Sequence, residues 1–282
     1  MPELPEVETV VRGIRSIVDR PIRAIGIDRP DIVREGITDL SKGLIGRRVA
    51  ELDRLGKRIL MRIEGGGLLV VHLGMTGRLL LEPVDLAPAI HTHVRMTFEG
   101  LSEELRFRDP RRFGGLWYFP AGANGHLKAL GPDALSIRVP VLGEITKRRR
   151  QIKALLMDQQ VISGLGNIYC DEALFSARIH PLTIAATLKQ DQIKDLACSI
   201  RKILRASIES GGSTLSDYRR PDGREGEFQQ RHRVYDREGK PCVRCGAKVR
   251  RILAAGRSTH FCPKCQRRKS STNPARGQQD RR

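Results

Sequence analysis

The sequence contains no apolar run long enough to cross a lipid bilayer. The run Leu68–Val71 holds only four residues, whereas a membrane-spanning helix needs about 20. The N-terminus, MPELPEVETV, is acidic and has neither the basic nor the apolar region of a secretory signal. We therefore expect a soluble, intracellular protein with no membrane anchor.

Acidic residues are in short supply, with 32 Asp and Glu against 51 Lys and Arg and a net charge of +19. Such an excess favours a polyanionic partner, because each phosphate that is neutralised releases condensed counterions. The basic residues are spread along the chain instead of lining one amphipathic helix, which argues against a membrane surface. The charge balance indicates nucleic acid, although a basic surface that merely keeps the protein soluble would give the same balance.

Cysteine is also scarce, but four of the six cysteines form two C-x2-C pairs separated by sixteen residues. This spacing is typical of a four-thiolate zinc site. Four thiolates complete a tetrahedral shell and leave no position for a water molecule, so the zinc would be structural. A redox role could use one such pair but would not explain two. The predicted ligands are Cys242, Cys245, Cys262 and Cys265.

The first 120 residues contain one helical segment followed by strand-like runs. Residues 1–18 repeat apolar side chains at spacings of three and four, which predicts an amphipathic helix. Short apolar runs separated by turn signals follow and favour an antiparallel sandwich or barrel. The predicted strands are Ile22–Ile27, Val49–Leu52, Ile59–Ile63, Leu68–Leu73, Leu79–Leu81, Val94–Phe98, Leu105–Phe107 and Leu116–Phe119.

A stretch rich in Gly and Pro, Pro120–Gly143, predicts a domain boundary, and the pattern beyond it is helical. Helices are predicted at about residues 144–158, 167–177 and 187–210. Cys170 and Cys198 fall inside them, and we expect both to be packed core thiols. The polar, turn-rich residues 213–232 predict a long loop. The basic residues 268–282 predict a disordered tail.

The second residue is a candidate nucleophile. An initiator Met before a small residue such as Pro is normally removed, which would leave Pro2 with a free secondary amine. An α-amino group titrates near pH 8, about two units below a lysine side chain, so far more of it is neutral. A neutral secondary amine that attacks a sugar carbon forms an iminium, which favours elimination, and Glu3 could shuttle protons. Both residues are also common at a helix start without any catalytic role.

Several short motifs occur in a fixed order up to about residue 267. They are PELPEVET from Pro2, GK from Gly56, HLGMTGR from His72, DPRRFG from Asp109, GLGNIY from Gly164, DEAL from Asp171 and RSTHFC from Arg257. In this combination the chain resembles the formamidopyrimidine-DNA glycosylase family of bifunctional bacterial base-excision enzymes. The resemblance implies activity as a DNA glycosylase and AP lyase that removes oxidised purines, 8-oxoguanine and formamidopyrimidines, and then cleaves the strand by β,δ-elimination.

The resemblance implies an α+β fold in three parts. Residues 1–130 would form a catalytic antiparallel β-sandwich with an N-terminal helix. Residues 144–232 would form a helix-two-turn-helix domain with a lesion-covering loop, and residues 233–267 a β-hairpin zinc finger ahead of the tail 268–282. The implied partner is damaged double-stranded DNA, bound by a monomer in a cleft between the domains. The implied cofactor is one structural Zn²⁺, and the implied location is the bacterial cytosol or nucleoid.

The resemblance also assigns roles to individual residues. Pro2 is the Schiff-base nucleophile, and Glu3 is the general acid and base for base loss and sugar ring opening. Lys57 is the proton donor linked to β-elimination, and Arg257 grips a phosphate and serves δ-elimination. The remaining residues contact DNA or fill the gap left by the flipped nucleotide: His91, Arg111, Arg148, Asn167, Met75 and Phe113. Lys153 and Tyr169 are expected to lie near the site.

The chain departs from the family pattern at two positions and leaves two alternatives open. Arg58 stands where many relatives have Tyr, and Arg148 where many have Lys. A sister enzyme of the endonuclease VIII type, which prefers oxidised pyrimidines, commonly carries Gly at the position of Leu4, so Leu4 favours the purine type. A non-catalytic zinc protein that binds damaged DNA would need none of Pro2, Glu3 and Lys57.

Overall fold

The computed structural model describes residues 1–123 and 129–268. Its helices are α1 (Leu4–Gly13), α2 (Ile37–Leu44), α3 (Val139–Thr146), α4 (Ile152–Met157), α5 (Asn167–Ser176) and α6 (Gln190–Glu209). Its strands are β1 (Ile22–Ile27), β2 (Val33–Glu35), β3 (Val49–Leu55), β4 (Arg58–Ile63), β5 (Leu68–His72), β6 (Arg78–Pro83), β7 (Thr92–Phe98), β8 (Glu103–Arg108), β9 (Gly115–Phe119), β10 (Arg250–Ala254) and β11 (Arg257–Phe261).

Two sheets build the N-terminal half. One has the order β1-β7-β8-β6 and the other β2-β9-β5-β4-β3, and every pairing except the parallel pair β2–β9 is antiparallel. Apolar side chains of both sheets meet in one buried cluster that includes Phe107 of the first sheet and Leu69 of the second. The predicted sandwich is therefore confirmed, as are all eight predicted strands, with small shifts at their ends.

Helix α1 belongs to both halves of the molecule. Its residues Val7 and Val10 pack into the core of the sandwich. Leu4, one turn earlier, packs into the separate core formed by α3 to α6. A 3.6-residue repeat turns successive faces of a helix toward different neighbours, and here it places the N-terminus at the junction of the two halves.

The helical half differs from the prediction in two places. The single helix expected at 144–158 is wrong: α3 ends at Thr146 and α4 begins at Ile152. Between them Arg150 O accepts a hydrogen bond from Ala185 N, and Ile152 N donates to Thr183 O, so this backbone pairs with another segment instead of within a helix. The third helix begins only at Gln190, after a 3-10 turn at Ala185–Thr187.

Other differences are local. The helix expected over residues 1–18 ends at Gly13 and is followed by a 3-10 turn, Arg15–Ile17. Strand β2 and helix α2 were not predicted, although Ile37, Leu40 and Leu44 repeat at spacings of three and four along α2. Cys170 is buried as expected, but the expectation for Cys198 is wrong, because it lies on the exposed face of α6. Almost all of the predicted tail lies outside the described residues.

The C-terminal hairpin β10–β11 is joined by Ala255 and Gly256, which both have positive φ angles of 51° and 68°. Two such residues form the turn that matches the natural twist of a two-stranded ribbon. The base of the hairpin shares a small core with Phe175 at the end of α5. Among the described residues, no helix combines the length and the apolar character that a membrane crossing requires.

Candidate active site and nucleic-acid interface

Glu3 lies directly before α1, and its carboxylate is buried against the N-terminal end of α5. Oε2 accepts a hydrogen bond from Gly166 N at 2.7 Å, and Oε1 accepts one from Ile168 N at 2.9 Å. A helix N-terminus offers unpaired N–H donors that stabilise a negative charge. Burial nevertheless raises the pKa of Glu3, while Lys57 and the backbone hydrogen bonds lower it. A Cβ at position 166 would clash with Glu3 Cδ, so glycine is required there.

Pro2 is buried next to Glu3, whereas Met1 is exposed. The amide between Pro2 and Glu3 is held in place, because Glu3 N donates to Glu6 Oε2 at 2.8 Å. Pro2 lines a small cavity that is formed by α1, the β5–β6 connection, α5 and the loop after α6. The residues around this cavity are Met1, Pro2, Glu6, Met75, Ile168, Ser213, Leu215, Ser216, Asp217 and Tyr218.

Lys57 lies in the turn between β3 and β4 and is 8% exposed. Burial lowers the pKa of its amine, the charges of Glu3, Cys170 and Glu6 act against this, and Arg257 lowers the pKa further. Nearby charges shift a pKa in this way. Charges on the N-terminal segment and on the C-terminal hairpin therefore both act on Lys57 in this turn.

A second buried carboxylate, Glu6, connects the N-terminus to the long loop after α6. The hydroxyl of Tyr169 donates to Glu6 Oε1, and Ser213 N donates to the same oxygen at 2.8 Å. The hydroxyl of Ser213 lies 3.1 Å from His232 Nε2 at the other end of the loop. Burial raises the pKa of Glu6 to about 7, with the charge of Glu3 acting in the same direction. One buried network thus ties both ends of the loop to the residue that holds the Pro2–Glu3 amide.

The loop at residues 213–232 also contacts the sandwich. Leu81 N in β6 donates to Pro221 O at 3.0 Å. The ring of Pro221 packs so closely on the end of α1 that a Cβ at Gly13 would lie 2.7 Å from its Cγ. The loop therefore crosses from the helical half to the sandwich and covers the cavity at Pro2.

The four cysteines at the base of the C-terminal hairpin are brought together as predicted. Their Sγ atoms all lie within 4.8 Å of one another. The distance is 3.5 Å between Cys245 and Cys262 and 4.0 Å between Cys242 and Cys265. A tetrahedral Zn²⁺ with Zn–S bonds of about 2.3 Å places its sulfur ligands nearly 4 Å apart. The cluster therefore fits one zinc ion, with no ligand position left for a catalytic water.

Arg257 follows directly after the turn at Ala255 and Gly256, and its side chain is exposed at the tip of the hairpin. The next residue is tied to the first turn of α5, because Asn167 Nδ2 donates to Ser258 O at 2.9 Å. Asn167 and Arg257 therefore lie on adjacent elements. The Glu3 carboxylate contacts the same end of α5, because Ile168 N donates to it.

A buried ion pair fixes the hairpin to the helices. Lys153 Nζ lies 2.6 Å from Asp171 Oδ1, with both side chains fully buried. The same Nζ donates to Thr259 Oγ1 at 2.7 Å, and Asp171 Oδ2 accepts from His260 N at 2.7 Å. Removing one partner from such a pair is strongly destabilising, because it leaves a buried charge without compensation. Lys153 therefore lies near the site, as expected, where it supports the strand that carries Arg257.

Met75 and Phe113 are large apolar side chains that are 40% and 61% exposed. They lie on two different loops that a single buried carboxylate, Asp109, holds together. Asp109 Oδ1 accepts from the hydroxyl of Thr76, and Oδ2 accepts from Gly114 N at 2.8 Å. Two exposed apolar side chains on a fixed framework are suited to insertion between stacked bases.

The remaining predicted DNA contacts are exposed. Arg111 lies on the Phe113 loop, and its backbone N donates to Thr76 Oγ1 at 3.3 Å. His91 adopts a positive φ of 68°, and its carbonyl accepts from Asp109 N at 3.1 Å. Arg148 lies apart from these residues, in the connection between α3 and α4.

Sequence reasoning missed three buried residues that organise the site. Glu6 and Asp109 stand inside the motifs PELPE and DPRRFG, so the motifs contained the signal, but neither was recognised as an organising group. Arg54, two residues before the Gly56-Lys57 turn, has no such motif. Only its contacts in the folded chain reveal it.

In a comparison with known proteins, models of protein families match three successive parts of the chain. The model of the formamidopyrimidine-DNA glycosylase N-terminal domain matches residues 1–116, and that of the H2TH domain of the same enzyme matches residues 130–219. The model of the zinc finger found in FPG and IleRS matches residues 239–268.

The chain is 44% identical over 273 residues to the formamidopyrimidine-DNA glycosylase of Solibacter usitatus, covering 95% of this chain and all of the relative. It is 46% identical over 275 residues to that of Thermus thermophilus, covering 94% and 98% of the two chains. The chain belongs to the formamidopyrimidine-DNA glycosylase family. The family predicted from the sequence motifs is thereby confirmed.

Solved structures of the family superpose on nearly the whole chain. The crystal structure of the Thermus thermophilus protein aligns with a TM-score of 0.83 at 44% identity, covering 94% of this chain and 98% of that one. The Lactococcus lactis Fpg in complex with DNA containing an abasic site aligns with a TM-score of 0.86 at 34% identity, covering 94% and 100%. The α+β fold, with its sandwich, helical domain and zinc finger, is thus that of the formamidopyrimidine-DNA glycosylase family.

Proposed function

We propose that the chain is a base-excision-repair DNA glycosylase and AP lyase that removes oxidised purines from double-stranded DNA. The observation that carries the proposal is that Pro2 lines a small cavity while the buried Glu3 beside it interacts electrostatically with the buried Lys57, on a chain that belongs to this family. A strongly basic surface suits a DNA substrate, since the net charge is +19. A mutant of the related Lactococcus lactis Fpg has been crystallised with DNA containing Fapy-dG.

The proposed first step is attack by Pro2 on the sugar of the damaged nucleotide. After removal of Met1, the lone pair of the Pro2 nitrogen forms a bond to C1′. The bond between C1′ and the base breaks, its electron pair leaves with the base, and the sugar ring opens to an iminium. Glu3 supplies and removes the protons. Burial raises the pKa of its carboxyl, so that it holds a proton closer to neutral pH, as a general acid must.

The second step is strand cleavage. The iminium draws electrons from the adjacent carbon, which loses a proton as the bond to the 3′ phosphate breaks. We assign Lys57 to proton transfer in this step, because burial lowers the pKa of its amine and brings it closer to the working pH. Arg257, exposed beside the same site, is assigned to a phosphate and to the δ-elimination that follows.

The remaining predicted residues are assigned to DNA. Met75, Phe113 and Arg111 would fill the gap left when the damaged nucleotide is extruded, which offsets part of the lost stacking energy of a few kcal/mol. His91, Arg148 and Asn167 would contact the backbone, Asn167 from the first turn of α5. Zinc would hold the hairpin through the four cysteines and contributes no chemistry. We propose a monomer in the bacterial cytosol or nucleoid, where chromosomal DNA lies.

The test is covalent trapping on defined lesions. Purified protein is incubated with duplexes that carry one 8-oxoguanine, one formamidopyrimidine or one oxidised pyrimidine, and borohydride is added. We expect an adduct on the purine lesions that Pro2→Gly abolishes, and an intact mass without Met1. Trapping on pyrimidine lesions alone would favour the endonuclease VIII type. Tight binding with no adduct on any duplex would contradict the enzymatic proposal.

A further inference from the structure

Arg54 is a nearly buried cation with four hydrogen-bonded acceptor atoms. Its side chain is 7% exposed. Nε donates to Glu8 Oε2 at 3.0 Å, and Nη1 and Nη2 donate to the two carboxylate oxygens of Asp133 at 2.6 and 3.3 Å. Nη1 also donates to Gly56 O at 3.1 Å. A planar guanidinium with this fork of donors fixes the direction of each partner as well as its distance.

The hydrogen bond from Arg54 to Gly56 O fixes the backbone next to Lys57. Gly56 is the residue before Lys57, it adopts the left-handed conformation with φ of 59°, and Arg54 holds its carbonyl. The turn also packs on the helical half, because a Cβ at Gly56 would lie 3.0 Å from Ser163 Cβ. The backbone that carries Lys57 is therefore braced on both sides.

The contact with Asp133 leads to Glu3. Asp133 pairs with Ser163 in a parallel β-bridge. The next residue, Gly164, accepts a hydrogen bond from Leu4 N at 3.0 Å, and Gly166 N donates to the Glu3 carboxylate at 2.7 Å. One short path thus runs from the Lys57 turn through Arg54 to the segment that holds Glu3.

We propose that Arg54 is a positioning residue that sets Lys57 relative to Pro2 and Glu3 by clamping the β3–β4 turn to α1 through Glu8 and to the helical half through Asp133. The inference rests on the role proposed above for Lys57. It concerns geometry alone, since Arg54 touches none of the reacting atoms. A displacement of about 1 Å in a reacting group can slow a reaction about 100-fold.

The test compares two single-turnover rates for each variant, base excision on 8-oxoguanine and strand cleavage on a preformed abasic site. For Arg54→Gln and Asp133→Asn we expect cleavage to slow at least tenfold, while duplex affinity changes less than threefold. Arg54→Lys keeps the charge but loses the fork and should also slow cleavage. The matched control is Arg62→Gln, on the same hairpin, whose exposed pair with Glu51 spans 3.2 Å and makes no contact with the turn.

Two further measurements keep the outcomes distinct. Thermal unfolding identifies variants that merely fail to fold, and the pH profile of cleavage should shift for Arg54→Lys, because the surroundings of the Lys57 amine change. If Lys57→Ala leaves cleavage unchanged, the role proposed for Lys57 is wrong. If Lys57→Ala abolishes cleavage but folded Arg54→Gln and Asp133→Asn cleave at the native rate, the positioning role of Arg54 is refuted.

Discussion

The proposed reaction centre and the proposed DNA-facing rim of this molecule are built in opposite ways. Pro2, Glu3 and Lys57 are buried, and the Glu3 carboxylate is tied to its surroundings by several hydrogen bonds. Met75 and Phe113 at the rim are exposed, and so are the arginines at the rim. Burial tunes the acidity of groups that must move protons. Exposure leaves cations hydrated and free to exchange water for phosphate.

This contrast predicts that chemistry and binding can be lost separately. Substitutions in the centre should remove catalysis and leave affinity, and substitutions at the rim should do the reverse. The four experiments below test this separation, from the largest expected effect to the smallest.

Glu3→Gln should have the largest effect on rate. The amide cannot act as a general acid or base, so we expect base excision to fall by about 10² to 10⁴-fold. Affinity for a lesion duplex should change little, because the carboxylate is buried away from the surface. Single-turnover kinetics and a binding titration measure the two quantities, with the exposed Glu51→Gln as the control. A parallel loss of affinity would contradict the expected separation of catalysis from binding.

Removal of zinc should disorder the C-terminal hairpin, which carries Arg257 and forms the rim on the helical side. Without the metal the hairpin has only a small core to hold it, and structural zinc sites supply much of the folding energy of such units. We expect chelation or Cys245→Ser to weaken duplex binding at least tenfold. Hydrogen exchange should show loss of protection at residues 239–268 while the sandwich stays protected. Unfolding of both halves together would show that they are one cooperative unit.

Arg148→Ala should act on affinity alone. One phosphate contact fewer reduces the slope of log K against log salt by about one. Excision at saturating protein should keep the native rate, since Arg148 lies in the α3–α4 connection, outside the cavity at Pro2. Binding titrations at several salt concentrations give the slope. The exposed Arg12→Ala, paired with Glu8 on α1, is the control and should leave the slope unchanged.

The smallest effect concerns stability against pH. Burial raises the pKa of Glu6 from 4.5 to about 7, so between these values the folded protein binds the extra proton and its stability falls as pH rises. His232, whose pKa burial lowers from 6.5 to about 4, acts in the opposite direction between these two values. Glu6→Gln should therefore remove the part of the fall in stability that Glu6 causes between about pH 5 and pH 7. Thermal midpoints of both proteins measure this, and identical pH profiles would contradict it.

Much of the fold could be predicted because its signals are local. The strands of the sandwich follow from alternating apolar runs, and the zinc site follows from two cysteine pairs. The break between α3 and α4 could not be predicted, because the residues there pair with a distant segment, Gln151 with Ile184. Cys198 shows the same limit, since an apolar context in sequence does not say which face of a helix is covered.

The site shows a sharper division. The residues proposed to act on the substrate were found through motifs, and the structure adds that Pro2 lines a cavity and that Glu3 and Lys57 interact electrostatically. The residues that hold them, such as Arg54 and Asp109, were not found. Their partners lie on other elements, and Arg54 reaches Asp133 across 79 positions of sequence. A single sequence carries no record of such pairs.

The carboxylate of Asp109 has a mechanical consequence. Because it joins the loop of Met75 to the loop of Phe113, we expect the two loops to move as one unit against a duplex. Met75 and Phe113 would then contact a base pair together and not one at a time. Opening an undamaged base pair would then require its full energy in one step, whereas a base pair already weakened by damage would require less.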